Sequence, residues 1–340
     1  MKVLFVAADS ADYTAAILWD GLRSALGWQN VYGMRDYHSL NNRNELGEYD
    51  AHLHRWTGTY YSSDTRVRCK YHTPQPGEDD FDLLIGVTSF LRQEVWAYLD
   101  HQRQARLKKG GKVVWVDTLD AANEIFNPPF PVDAVFKREI DPAIQYPYGH
   151  QPLPLIASAP ERWFCDFDYQ KENDVFSVQM ARSDPRRWDV CPQVFRTRHR
   201  GVSLAGSGGI YPAATYVAVM KTFKLCVIAP GGGGQCDTPR QAEAIACGSI
   251  PVFCAMPSRI HEAHHPSGAS LHWFSHDEIF WVPTVEELPE ALDNALDADL
   301  TAMRQRLKVR ALRDHTSEAR AKQFLAMIEC DAWKDEKWSF

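Results

Sequence analysis

No stretch of about 18 apolar residues occurs in the 340-residue chain, so no membrane-spanning helix is expected. The eight cysteines (69, 165, 191, 226, 236, 247, 254 and 330) form no CxxC pair and no close Cys/His metal spacing. Cys226, Cys247 and Cys254 stand in apolar surroundings, where Cys behaves as a small hydrophobe. Excess positive charge is missing too: 37 Lys and Arg face 44 Asp and Glu, a net −7, so no global basic field draws the chain to nucleic acid or an anionic membrane. Internal repeats and low-complexity tails are absent. The amino-terminal MKVLFVAADS is too short for a signal-peptide core and runs straight into a polar loop. These features predict reduced thiols and a cytoplasmic location.

What is present is a soluble globular composition, 45% hydrophobic and 24% charged, with length for two ordinary domains. Lys2–Ala8 and Phe81–Val87 are near-continuous apolar runs, and Lys112–Asp117 is a third. Such runs suit parallel strands buried on both faces. Helices are predicted over Tyr13–Leu26, with Ile17, Leu18, Leu22 and Leu26 on one face, and over Leu91–Leu107. Strands follow at Val175–Gln179, Val202–Ala205, Phe223–Ala229 and Ile250–Cys254. A helix or turn is expected at 211–222, and helices over Val285–Leu296 and Leu300–Ile328. Residues 31–75 read as irregular loop or lid. Prolines concentrate from Pro128 to Pro160, which predicts a stiff linker rather than sheet interior. The fold class is therefore α/β with two Rossmann-like domains, over 1–150 and 151–316, and a last segment at 317–340.

Residues 216–254, YVAVMKTFKLCVIAPGGGGQCDTPRQAEAIACGSIPVFC, carry the most functional information. They read as strand, glycine-rich turn, helix, strand. Gly231, Gly232, Gly233 and Gly234 allow a sharp turn against a ligand. Thr238 fits an N-cap, Pro239 the first helical position, and Gln241 completes a Thr-x-x-Gln capping box. Gly248 is the stop signal. A helix N-terminus of this kind suits phosphate. Arg240 adds a fork of donors for a diphosphate. Glu243, on the same helix face, can accept two ribose hydroxyls. The bland alternative is a surface Arg–Glu pair beside a loop; glycines, cap and βαβ context together favour a nucleotide site.

This segment resembles the carboxy-terminal half of exostosin-like and CgeB-like glycosyltransferases. The matching residues are Tyr216, Met220, Lys224, Pro230, Gly231, Arg240, Glu243, Ala244, Ile245, Gly248, Pro251 and Val252. DAVFKREI (133–140) and YPYGHQPLPL (146–155) are similar to the inter-domain segment of CgeB-like proteins. One departure is Pro239 where the family carries Ser before the motif Arg, with Thr238 one place earlier. The resemblance implies a GT-B fold, two Rossmann-like domains with sheets facing across a cleft, the acceptor in the first and the nucleotide sugar in the second. It also implies a metal-independent enzyme using a UDP-sugar as co-substrate with no further cofactor, inversion at the anomeric carbon, and a last helix (317–335) that crosses back to the first domain.

Other residues are weighed as candidates. Asp12, with Asp9 as alternative, follows the first strand and is the candidate base; the competing role is a helix cap. Asp117 and Asp120 occupy the equivalent edge of a later strand. Arg182, with Arg186 and Arg187, follows the strand 175–179 and could meet the donor diphosphate. Lys137 and Arg138 read either as cleft-facing or as a solvated pair. RTRHR (196–200) reads as a solvated edge or, facing a cleft, as a site for a phosphate-bearing acceptor such as DNA. The triplets Asp166–Asp168 and Asp297–Asp299 have the DxD form but are expected by chance, and no metal is assigned. Aromatic residues in 52–72 could stack on sugars or bases. The acceptor stays open among glycan, peptide and a hydroxylated DNA base. A nucleotide-sugar epimerase and a non-catalytic nucleotide-binding module remain as rivals.

Overall fold

A computed structural model describes residues 1–7, 13–34, 80–87, 93–118, 128, 130–138, 140, 144–147, 152–155, 158–159, 164, 170–179, 187–198, 201–205, 213–229, 239–254 and 278–331. Two compact units result, one of residues 1–155 with 317–340, the other of 156–316.

The first unit is a six-stranded sheet in the order β2-β1-β3-β4-β5-β6, with every pairing parallel. Its strands are β1 (Val3–Ala7), β2 (Val31–Met34), β3 (Phe81–Val87), β4 (Leu107–Asp117), β5 (Ala134–Lys137) and β6 (Leu153–Pro154). Apolar runs form these strands because both faces are covered. One face packs Val3, Phe5, Leu83, Ile85, Val114, Val116 and Phe136 against α1 (Tyr13–Leu26) and the helix 317–329. The other packs Leu4, Val6, Leu84 and Trp115 beside Trp96 and Leu99 of α2 (Gln93–Arg106). Gly86 is what lets Trp115 lie flat on β3: a Cβ there would sit 2.0 Å from the indole ring.

The second unit is a five-stranded, all-parallel sheet in the order β11-β10-β9-β7-β8. The strands are β7 (Asn173–Gln179), β8 (Gly201–Ala205), β9 (Phe223–Ile228), β10 (Ile250–Cys254) and β11 (Phe280–Val282). Between and after them come α3 (Arg187–Val194), α4 (Ala213–Met220), α5 (Pro239–Ala246), α6 (Leu288–Asp297) and α7 (Thr301–Asp314). The chain then passes to α8 (Ser317–Glu329), which packs on α1 in the first unit. Both units are thus doubly wound α/β sheets, as the fold class predicts, and each reverses strand order beside its first strand, at β1/β3 and at β7/β9. That reversal is where open α/β sheets bind ligands, outside the carboxyl ends of the strands.

Three expectations need correction. The segment 128–160 is not only linker: Ala134–Lys137 is an interior strand with all four side chains buried. Its four residues contain no proline, and Pro154 ends the outermost strand, where a missing N–H is tolerated. The 300–328 helix is two helices. It breaks at His315, whose φ of −118° and ψ of 5° leave the helical region, and Thr316 forms a parallel bridge with Ala159. Within 31–75, Val31–Met34 is a strand paired with β1.

Candidate functional site

Helix α5 follows β9, one of the two strands at the reversal point of the second sheet, so its N-terminus stands at the ligand-binding edge. The helix starts at Pro239, the first-turn position where a missing N–H costs nothing. Its end is a Schellman motif. Gly248 has a φ of 72°, its N–H donates to the Ile245 carbonyl, and the Ser249 N–H donates to the Ala244 carbonyl. Below that end a polar clamp fixes the helix. Ser249 Oγ donates to the Met220 and Phe223 carbonyls at 3.1 and 2.8 Å. Lys171 Nζ donates to the Lys221 and Cys247 carbonyls, both at 2.6 Å, which places a cation at the C-terminal ends of α4 and α5 together. Burial, with Arg304 close by, lowers the Lys171 pKa to about 7.

Arg240 and Glu243 both lie in the first two turns of this helix, three residues apart. Arg240 is half-buried and Glu243 is 4% exposed. Both charges are felt at Cys226 in β9. Burial first, then Cys247 and Glu243, pushes its thiol up, while Arg240 works in the opposite direction. A cation and a buried carboxylate thus stand at the start of α5 against the reversal strand, beside backbone N–H groups that carry the positive end of the helix dipole. This arrangement can neutralise a diphosphate and accept hydrogen bonds from hydroxyls.

Gly231, Gly232, Gly233 and Thr238 lie outside the described residues, as do Arg182, Asp9, Asp12, Asp120, Asp166, Asp168 and the aromatic stretch 52–72. The strand that precedes Asp9 and Asp12, β1, stands at the reversal point of the first sheet. The capping box is not closed through Gln241, because neither polar atom of that buried side chain has a hydrogen-bond partner. Sequence alone does not find this amide, since polarity and position both suggest a cap.

Asp117 and Lys137 are not solvated but fully buried. They occupy paired register positions at the carboxyl ends of β4 and β5, with Lys137 Nζ 3.0 Å from Asp117 Oδ2 and both side chains 0% exposed. Arg138 is buried beside them in sequence. The reason is that β5 is an interior strand of a sheet covered on both faces, with Phe136 in the core against α8 and Val135 in the core of the other face. In the 196–200 cluster, Thr197 is buried, Arg196 binds the Gln193 amide oxygen at 3.1 Å, and Arg198 is held by Asp293 and Asp297 of α6. Two carboxylates therefore occupy the Arg198 fork, which favours a solvated edge. The second DxD triplet is also committed elsewhere: Asp297 accepts from Arg198, and Asp299 accepts from the Thr301 N–H at the start of α7. Among the described residues no group of three His, Cys, Asp or Glu is placed to hold a metal ion. No described helix is long and apolar enough to cross a membrane.

Comparison with known proteins bears on the family and the fold. Residues 186–326, which include α5, match the family described as Glycosyl transferase-like, Glyco_trans_1_2. No curated protein sequence matches the chain. Solved structures share its architecture over nearly its whole length. An alpha-glucosyltransferase in complex with UDP and a 13-mer DNA containing a central A:G mismatch is 12% identical, covers 96% of this chain and 100% of its own, and superposes with a TM-score of 0.56. An alpha-glucosyltransferase in complex with UDP-glucose and DNA containing an abasic site is 13% identical, covering 96% and 99%, with a TM-score of 0.53. Anabaena Alr3699/HepE in complex with UDP-glucose is 10% identical, covering 97% and 100%, with a TM-score of 0.54. At these identities the structures speak to the fold, which is GT-B. Residues 186–326 are thus glycosyl transferase-like in sequence, and they belong to a chain with the GT-B fold of two parallel sheets.

Proposed function

We propose that the chain moves a sugar from a UDP-sugar to a hydroxyl acceptor without a metal ion and with inversion at the anomeric carbon. The observation that carries this reading is the placement of Arg240 and the buried Glu243 in the first turns of α5, beside the reversal point of the second sheet. Glu243 accepts the ribose hydroxyls. Arg240 and the N-terminal amides of α5 neutralise the diphosphate as it leaves, so fixed positive charge does the work a metal ion would do. The glycine-rich turn 231–233, Thr238 and Arg182 are assigned to the same diphosphate from sequence. Asp12 is assigned as the base that takes the acceptor proton as the anomeric carbon is attacked. The nearer kinship to exostosin-like and CgeB-like enzymes belongs to this proposal.

A thermal-shift screen of nucleoside diphosphates and nucleotide sugars tests the donor site, with and without EDTA. A ligand of the native state raises the melting temperature according to its occupancy. The expected result is an EDTA-insensitive shift with UDP and a UDP-sugar, lost in Glu243→Ala. No shift with any nucleotide sinks the reading. Conversion of the donor without acceptor would identify an epimerase, and binding without turnover a binding module. A second reading places the acceptor on a hydroxylated DNA base. It is prompted by the DNA held in the similar alpha-glucosyltransferase structures. Sugar transfer to an oligonucleotide bearing a hydroxymethylated base, and not to one lacking the hydroxyl, is its test.

A further inference from the structure

The side-chain amide of Gln241 is 2% exposed, and neither its Oε1 nor its Nε2 has a hydrogen-bond partner. Burying an amide with both ends unbonded is unfavourable, and native proteins rarely leave such a group without a reason. Gln241 is the third residue of α5. Side chains on a helix lean toward its N-terminus, and a long one covers the turn before its own Cα. The amide is therefore aimed at the N-terminal end of α5, where the first backbone N–H groups also lack helical partners.

The chemistry of the amide narrows its ligand. Nε2 needs an acceptor, and Oε1 needs a donor. Diphosphate oxygens supply acceptors only and leave Oε1 unmet. A phosphate oxygen beside a sugar hydroxyl supplies both. Position on the helix separates the two sides of the donor. Gln241 and Glu243 are two residues apart, about 200° around the axis, so they address opposite sides of the diphosphate-binding end. A nucleotide sugar runs base, ribose, diphosphate, sugar. With ribose at Glu243, the far side is the glycosyl phosphate.

We propose that Gln241 contacts the transferred sugar and its phosphate, and thereby distinguishes a nucleotide sugar from the free nucleoside diphosphate. The inference rests on the donor reading above. Calorimetric titration of UDP and of UDP-glucose, or whichever UDP-sugar gives the largest shift in the screen, into wild type and Gln241→Met tests it. Met has similar volume and no strong polar group. The variant is expected to keep UDP affinity within about twofold and to weaken the UDP-sugar about tenfold or more, with a ligand-free melting temperature equal to wild type or higher. Equal weakening of both ligands overturns the proposal, as does no change in either. Should Gln241→Met fail to fold, glutamine side-chain amide resonances of the wild type decide. A shift with the UDP-sugar that UDP does not cause supports the contact, and its absence overturns it. Wild type that binds UDP with Gln241 silent refutes this inference alone; wild type that binds neither ligand refutes the donor reading and this inference with it.

Discussion

Replacing Lys137 by Met removes the cation that Asp117 meets in a fully buried site. At an effective dielectric of about 20, unit charges 3.0 Å apart attract by about 5–6 kcal/mol. Desolvation of the two ions costs several kcal/mol each and offsets this gain. The pair is therefore nearly neutral against a well-packed apolar replacement, while loss of one member strands the other. Lys137→Met is expected to destabilise the first unit by about 3–5 kcal/mol, and Asp117→Leu by a similar amount. The double variant Asp117→Leu/Lys137→Met is expected within about 2 kcal/mol of wild type, the coupling expected of a buried ion pair. Hydrogen exchange of the β4 and β5 amides reads this unit by itself. Single variants that each cost less than about 1 kcal/mol, or three variants that add without coupling, would refute the assignment. The same series bears on chemistry. If the pair only holds β4 to β5, the variants should lose the proposed sugar transfer only in proportion to folded protein.

Two further outcomes are open to measurement. Lys171 has its native pKa lowered to about 7 from 10.5 by burial, so between these values the unfolded chain holds a proton that the folded chain has released. Stability from this group therefore rises with pH across that window, and urea midpoints at pH 7, 8 and 9 should rise less in Lys171→Met than in wild type; parallel slopes would dismiss the effect. Gly21→Ala places a methyl 2.0 Å from the Ser317 carbonyl oxygen, forcing α1 and α8 apart, and is expected to cost about 1–3 kcal/mol in a denaturant titration.

Much of the fold was legible because parallel strands buried on both faces are written as apolar runs: VLFVA, FDLLIGV, FKLCVI and IPVFC stand out without knowledge of their neighbours. What escaped depends on neighbours. AVFK is a short, mixed segment between prolines, and only its place between β4 and β6 makes it a strand. The helix break at His315–Thr316 has no Gly or Pro to announce it; it follows from the Thr316 bridge to Ala159, far away in sequence. RWDVCPQV forms a helix despite Pro192, which local propensity argues against. In the site, local pattern was enough to put Arg240 and Glu243 in the first two turns of one helix. Burial of Lys137 beside Asp117, and the unbonded amide of Gln241, were invisible, because both are consequences of packing and not of local pattern.

The return of residues 317–329 to α1 has a consequence for the order of events during synthesis. Ala15, Leu18 and Leu22 of α1 share one core with Ala321, Phe324, Leu325 and Ile328 of α8, and Lys112 ties down the end of α8 through the Ile328 carbonyl and Asp331. None of that cover exists while the ribosome is still translating 156–316. The second unit, contiguous in the chain, can close as soon as it emerges, whereas the first waits with an apolar helix face exposed until nearly everything else is made. A chain stopped at Thr316 would keep the Arg240–Glu243 helix yet leave the first unit permanently open, a species for chaperones and proteases rather than a smaller enzyme.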